Sequence, residues 1–271
     1  MSQRTLAIIT NDPEAVFQSL IISGVRAVSD RANITTAVHR SAPRLADFDP
    51  RQVDGMLVIA NAVPDKTLAD WAEQRTPISL VSHRIPGVPI PTVMFNNAQG
   101  LALLVDHLVN RCLRQRIVFA RGIGSQIDGA EREAAFRSEL LRNHLPLYED
   151  DFLDGEFDPE RAVKALRIRL RRGPAFDAII AADYLMAIEM AAYLRDQGIG
   201  VPEQIAIVGF GDAEAAAEAG MTTVAADVQA LGGRAARQVI SQMDGLRIRG
   251  VTTLNVSLMI RETCGFGRAE T

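Results

Sequence analysis

Short apolar runs alternate with amphipathic stretches over nearly the whole chain. TLAIIT (5–10), ITTAV (34–38), GMLVIA (55–60), ISLVS (78–82), TVMF (92–95), RIVFA (116–120), DAIIAA (177–182), IAIVGF (205–210), TTVAA (222–226) and NVSLMI (255–260) are rich in β-branched residues and bounded by Gly, Pro, Asn or Asp. Nearly continuous apolar runs of this length predict strands covered on both faces. Between them the period changes. Val16, Leu20, Val25 and Val28 lie along one helical stripe, and Leu101, Leu104, Val105, Leu108 and Val109 along another, as helices docked on a sheet require.

Alternation of strand and helix over the full length predicts an α/β fold with doubly wound parallel sheets. The runs before residue 96 and those after 116 form separate sets, each large enough for a compact layer, so two Rossmann-like lobes are expected. No stretch rich in Gly, Ser or Pro separates the sets, which points to short crossings.

Composition narrows the function classes. With 271 residues, 48% hydrophobic and 23% charged, the chain reads as an ordinary globular protein of one large or two linked domains. A net charge of -4 argues against a nucleic-acid footprint on this chain itself, because phosphate binding calls for a basic surplus. The basic runs LRIRLRR (166–172) and RCLRQR (111–116) fall at predicted helix ends, where cations complement the dipole; they read as solvated helix ends. Cys112 and Cys264 are the only cysteines, consistent with a reducing compartment. Neither a signal-like start nor a run of 18 apolar residues is present, so a cytoplasmic, non-membrane protein is expected.

Catalytic patterns fail one by one. RIVFARGIGSQIDGAEREAAF (116–136) has the strand, glycine turn and helix of a dinucleotide site, but Ile127 stands where the third glycine belongs, and a β-branched side chain there crowds phosphate and helix packing. There is no nucleophile elbow and no phosphate loop. His39, His83, His107 and His144 are scattered, and neither cysteine has a Cys-x-x-Cys partner, so the spacing predicts no metal site. No enzyme and no cofactor are expected. What remains is polar residues after strand ends, where open parallel sheets bind ligands. Asn11 and Asp12 follow the first run, with Phe17 next in the helix. His83 and Arg84 follow ISLVS, Asp128 and Arg132 follow the glycine turn, Asp183 follows DAIIAA, and Phe210 and Asp212 close IAIVGF. Carboxylates and a forked arginine suit a small, hydroxyl-bearing ligand, while Asp128, Asp183 and Asp212 read equally well as helix caps.

With these residues placed, VDGMLVIA (53–60), FNNAQGLALLVDHLV (95–109), FDAIIAADYLMAIEMAAYLRDQGIGVPEQIAIVGF (176–210), MTTV (221–224) and SLMIRETCG (257–265) resemble the effector-binding core of LacI/GalR transcriptional regulators. That resemblance implies a fold like periplasmic sugar-binding proteins. Its lobes would be 1–95 plus 228–250 and 96–227 plus 251–265, joined by three crossings, with a loose tail at 266–271. It further implies a cleft ligand, a homodimer, and operator DNA bound through a helix-turn-helix headpiece expected to lie outside this sequence. A stand-alone or fused solute-binding sensor is the alternative, and a nucleotide-dependent oxidoreductase ranks below both. Departures matter: Gly211 replaces a common ligand-binding aspartate, Ala226 a frequently polar residue, and His83 an aspartate, while Arg132 matches the cleft arginine. Asp183 adds a charge. The ligand is therefore expected to be either a cationic or amide donor facing Asp183, or a sugar held by Arg132, Asp183 and His83.

Overall fold

The computed structural model describes residues 3–41, 48–172 and 176–266; the expected loose tail lies, beyond Phe266, outside the described residues. In chain order the elements are β1 (Thr5–Thr10), α1 (Val16–Arg31), β2 (Thr35–Arg40), β3 (Gly55–Ile59), α2 (Asp65–Glu73), β4 (Ile78–Val81), β5 (Thr92–Phe95), α3 (Asn97–Asp106), β6 (Ile117–Arg121), α4 (Ile127–Arg142), β7 (Phe152–Asp154), α5 (Pro159–Arg171), β8 (Ala178–Ala181), α6 (Tyr184–Asp196), β9 (Ala206–Phe210), α7 (Glu214–Glu218), β10 (Thr222–Ala225), α8 (Val228–Met243), β11 (Val251–Leu254) and β12 (Ser257–Met259). They form two compact units, one of residues 1–95 and 227–254, the other of residues 96–226 and 255–271.

The first unit carries the sheet β11-β5-β4-β3-β1-β2, parallel throughout. β3 and β4 are buried along their whole length, as their unbroken apolar runs require. Trp71 of α2 packs into a core with Met56, Val58, Leu80 and Ile90. Residues 251–254 were expected with the second lobe, and no strand was foreseen there. They instead pair with β5, Val251 opposite Thr92 through Leu254 opposite Phe95, because Gly250, at φ +85°, turns the chain back along that edge.

Helix α1 corrects the predicted stripe. Its buried residues are Ile21, Ile22, Gly24, Val25 and Ser29, and Val16 is exposed. The face is set by α8, which approaches so closely that a Cβ on Gly24 would lie 2.0 Å from the Gln229 carbonyl oxygen and one on Gly232 2.2 Å from that of Ile21. Hydrophobicity cannot report a face made by glycine.

The second unit carries β12-β10-β9-β8-β6-β7, parallel except for β12, which runs antiparallel to β10. The run 255–260, expected to be covered on both faces, is a short edge strand with Ser257 and Met259 exposed. Phe119 of β6, Phe136 of α4 and Phe152 of β7 form one aromatic cluster, with Phe119 and Phe136 stacked at 4.9 Å. The basic runs are not simply solvated helix ends. Arg169 is buried, with Nη2 3.6 Å from the fully buried Asp151, and Arg116 reaches the same carboxylate at 3.1 Å. Those charges are spent inside the unit.

Candidate functional site

In the second unit β6, the first strand in chain order, is flanked by β7 and β8. The connections leaving β6 and β8, which begin with α4 and α6, therefore diverge to opposite sides, which opens a crevice at the carboxyl edge of the sheet. Arg132, on the second turn of α4, lies there almost fully buried. Its Nε donates to Asn97 Oδ1 at 2.8 Å and its Nη1 to the Ala182 carbonyl at 2.7 Å. The guanidinium carbon sits 3.8 Å over the centre of the Phe210 ring, a stacked cation–π arrangement that fixes its plane. Nη2 makes no hydrogen bond among the described residues. Asn97 completes the network by donating through Nδ2 to Asp128 and Glu131, both at 2.9 Å.

Burial lowers the Arg132 pKa from its ordinary value, opposed by the charges of Asp128, Asp183 and Glu131. Asp183 caps α6 by accepting from the Met186 N–H at 2.8 Å. Its carboxyl is pushed up to about 6 by burial, against that bond and the nearby Arg132 charge. Asp128, Arg132, Asp183 and Phe210 thus share one neighbourhood. Asp128 is not the cap of α4, whose N-cap is Gln126; its carboxylate is used on Asn97. Asp212 stands apart: it is not the cap of α7, whose N-cap is Ala213, and both its oxygens are taken by Arg261 at 2.7 and 3.0 Å.

Gly211 has φ +94°, a conformation side chains rarely adopt, and a Cβ there would lie 3.1 Å from Tyr184 Cδ1. The missing carboxylate is therefore built into the backbone, with the Tyr184 ring beside it. The glycine turn after β6 is explained likewise. A Cβ on Gly122 would strike the Phe157 ring at 2.2 Å, and one on Gly129 the Ile123 carbonyl at 2.3 Å. Close approach of side chain and helix, rather than of pyrophosphate, demands these glycines. Phe157 and its neighbour Glu156 both have positive φ, +58° and +53°. Strained non-glycine residues of this kind gather at binding sites.

The first unit has its own switch, with β1 flanked by β2 and β3. Asn11 accepts from Ser41 Oγ, and Asp12 from Arg40 Nη1 at 3.4 Å. Phe17 is half-buried on α1. His83 is buried and pairs through Nε2 with Asp65 at 2.8 Å, and Arg84 beside it is exposed. Ala60 and Ser82, ending β3 and β4, take positive φ of +50° and +53°. Asn11 and Asp12 share one strand end and His83 and Arg84 another, with β3 between them.

Asn97, Phe157, Tyr184, Asp65 and Arg261 were missed. Asn97 and Arg261 lie within the quoted runs FNNAQGLALLVDHLV and SLMIRETCG, so the resemblance contained them without showing their partners.

Residues 105–264 match the family described as the periplasmic binding protein-like domain. The chain belongs to that family. Among curated relatives, the HTH-type transcriptional regulator CelR of Thermobifida fusca is 30% identical over 219 residues, 79% of this chain and 64% of that protein. GalR of Salmonella typhimurium is 27% identical over 157 residues, 58% of this chain and 46% of its own length. The chain thus spans less than two thirds of these relatives. Among solved structures, a CelR–cellobiose complex superposes with TM-score 0.86 at 27% identity, covering 97% of this chain and 86% of that one. A lac repressor dimer bound to operator and the anti-inducer ONPF gives 0.85 at 21% identity over 97% and 94%, which speaks to the fold. The curated relatives are named as HTH-type transcriptional regulators. Among the described residues no helix is long and apolar enough to cross a membrane.

Proposed function

We propose that this chain is the sensing core of a LacI/GalR-type transcriptional regulator. It binds a small, hydroxyl-rich ligand in a cleft between its two lobes and acts as a homodimer on operator DNA through a helix-turn-helix. The observation that carries the reading is Arg132, stacked on Phe210 and tied to Asn97 and Ala182 with Nη2 left to donate. A preoriented, poorly hydrated guanidinium favours an oxygen-rich ligand over an apolar one. Asp128, Asp183 and Phe210 complete the second lobe's share of the site, and Asn11, Asp12, Phe17, His83 and Arg84 form the first lobe's. Asp212 contributes through Arg261 rather than by direct contact. Support comes from the similarity to a solved CelR–cellobiose complex, and from the HTH-type names of the curated relatives.

Ligand acts on DNA affinity only through its differential affinity for two arrangements of the protein. The test is thermal unfolding against a panel of mono- and disaccharides, polyols, sugar acids, nucleosides and amines. Saturation at a hundredfold over Kd stabilises by about 2.7 kcal/mol. A sugar hit that Arg132→Ala abolishes supports the proposal. A hit confined to amines or nucleosides, or one indifferent to Arg132→Ala, overturns the ligand class.

A further inference from the structure

Away from the strand-end crevice, three soft side chains converge in the second unit. The last turn of α3 widens into a π-helical turn over His107–Arg111, closed by the Cys112 N–H donating to the His107 carbonyl at 3.0 Å. In an α-helix a residue five positions on is rotated by about 140°; the π turn brings it back. Cys112 Sγ accordingly stands 3.4 Å from His107 Nε2. Cys264 arrives from the single turn Glu262–Cys264 after β12. That turn is anchored where Thr263 Oγ1 accepts from the Thr222 N–H at 2.9 Å, and it ends at Gly265, φ +80°. The His107 nitrogen and both sulfurs all lie within 4.8 Å of one another.

Cys-x-x-Cys and similar ligand spacings join neighbours in the chain, whereas the fold joins these three. We infer that His107, Cys112 and Cys264 form a binding site for a thiophilic d10 cation, Zn2+ or Cu+. The dimensions carry it. Zn–S of about 2.3 Å and Zn–N of about 2.0–2.1 Å at a tetrahedral angle place S and N about 3.5 Å apart and two sulfurs about 3.8 Å apart. The Cys112–His107 distance already meets that figure, and no pair needs to close by more than about 1.3 Å.

His107 and Cys264 are buried and Cys112 half-buried, so a remaining coordination position opens on the Cys112 side. Two sulfurs and an imidazole select soft ions over Mg2+ or Ca2+. The Phe266 ring packs edge-on against His107 at 5.5 Å, which fixes the imidazole plane. π turns recur at functional sites, and here the turn is what makes the pair. This site stands independently of the effector crevice.

The whole chain, reduced and stripped with chelator, is titrated with Co2+ as an optical probe, then with Zn2+ and with Cu+ against chromophoric chelators. The expected result is one equivalent per chain with sulfur-to-cobalt charge-transfer absorption. Affinity should fall at least about tenfold in Cys112→Ser, since losing a ligand costs no less than losing its supporting contacts. Cys112 is the ligand whose replacement disturbs packing least, and circular dichroism confirms that the variant folds; His107→Gln then repeats the loss. Failure of the reduced protein to take up either ion, or uptake that Cys112→Ser leaves unchanged, overturns the site. Isolation of the pair only as a Cys112–Cys264 disulfide, with no uptake after reduction, also overturns it.

Discussion

Arg261 forks onto Asp212, with Nη1 2.7 Å from one carboxylate oxygen and Nη2 3.0 Å from the other, and Thr223 Oγ1 donates to the same group at 2.7 Å. Burial pushes the Asp212 carboxyl up, but Arg261 and Thr223 outweigh it and leave it below the usual range. A lowered folded pKa contributes stability present above the unfolded value and lost as pH falls through the folded one. Because both side chains keep 19% exposure, Arg261→Ala should cost about 1–2 kcal/mol near neutral pH, less than a fully buried pair. Thermal melts should fall by a few degrees, and part of the stability loss below about pH 4 should vanish. Arg261→Lys should recover little, since it cannot fork.

Asp183 predicts the opposite sign. Its carboxyl, raised to about 6 by burial, binds its proton more tightly folded than unfolded. Stability therefore declines as pH rises from about 4 through about 6. A shift of about two units corresponds to about 3 kcal/mol at most. Asp183→Asn keeps an N-cap acceptor for Met186 and should remove that decline, leaving the variant at least as stable as the parent at neutral pH. Melts at pH 4.5 and pH 7, two points chosen to straddle the window of about 4–6, would show it; an unaltered pH slope would refute the assignment. For a cationic ligand the same variant should also erase tighter binding above about pH 6.

Restoring a carboxylate at Gly211 should not restore a sugar site. At φ +94° with Tyr184 Cδ1 3.1 Å from the would-be Cβ, Gly211→Asp is expected to destabilise by about 1–3 kcal/mol. Adding Tyr184→Ala relieves the contact but not the backbone, so chemical denaturation of the double variant should recover only part of the loss. Full recovery would show that the ring alone excludes a side chain.

Gly24→Ala tests the helix contact in the first unit. A methyl 2.0 Å from the Gln229 carbonyl oxygen must push α1 and α8 apart, at about 1–3 kcal/mol or more. By contrast Gly124, with nothing within 4 Å of its would-be Cβ, should accept alanine with little change. Denaturant midpoints of the two variants give the comparison directly.

Much of the architecture was legible because a strand buried on both faces writes itself as a continuous apolar run: the runs at 5–10 and 92–95 coincide with β1 and β5. β7 and β11 were not seen. β7 is a three-residue strand at a sheet edge, and β11 is a half-exposed VTTL at another, where burial leaves no alternating or continuous signature. The glycines of α1 and α8 hid the true packing face for the same reason: an absence of side chain carries no hydrophobicity. At the strand ends, Arg132 and Asp183 were readable from position. The fate of Asp212 was not, since its partner Arg261 comes from a segment 49 residues later. His107, Cys112 and Cys264 were unreadable because the fold, not the spacing, joins them.

The last strands carry a consequence for how the protein is made. α8 and β11 complete the first unit, yet they follow the whole span 96–226 in the chain, and β12 closes the second sheet only after that. A nascent chain leaving the ribosome as far as Ala226 has every strand of the first sheet but β11. It lacks the helix that fits against Gly24, and the apolar face of α1 stays uncovered. Synthesis of residues 227–259 is thus the step at which both sheets become complete, and a chain interrupted before it is a substrate for chaperones and proteases rather than a smaller sensor.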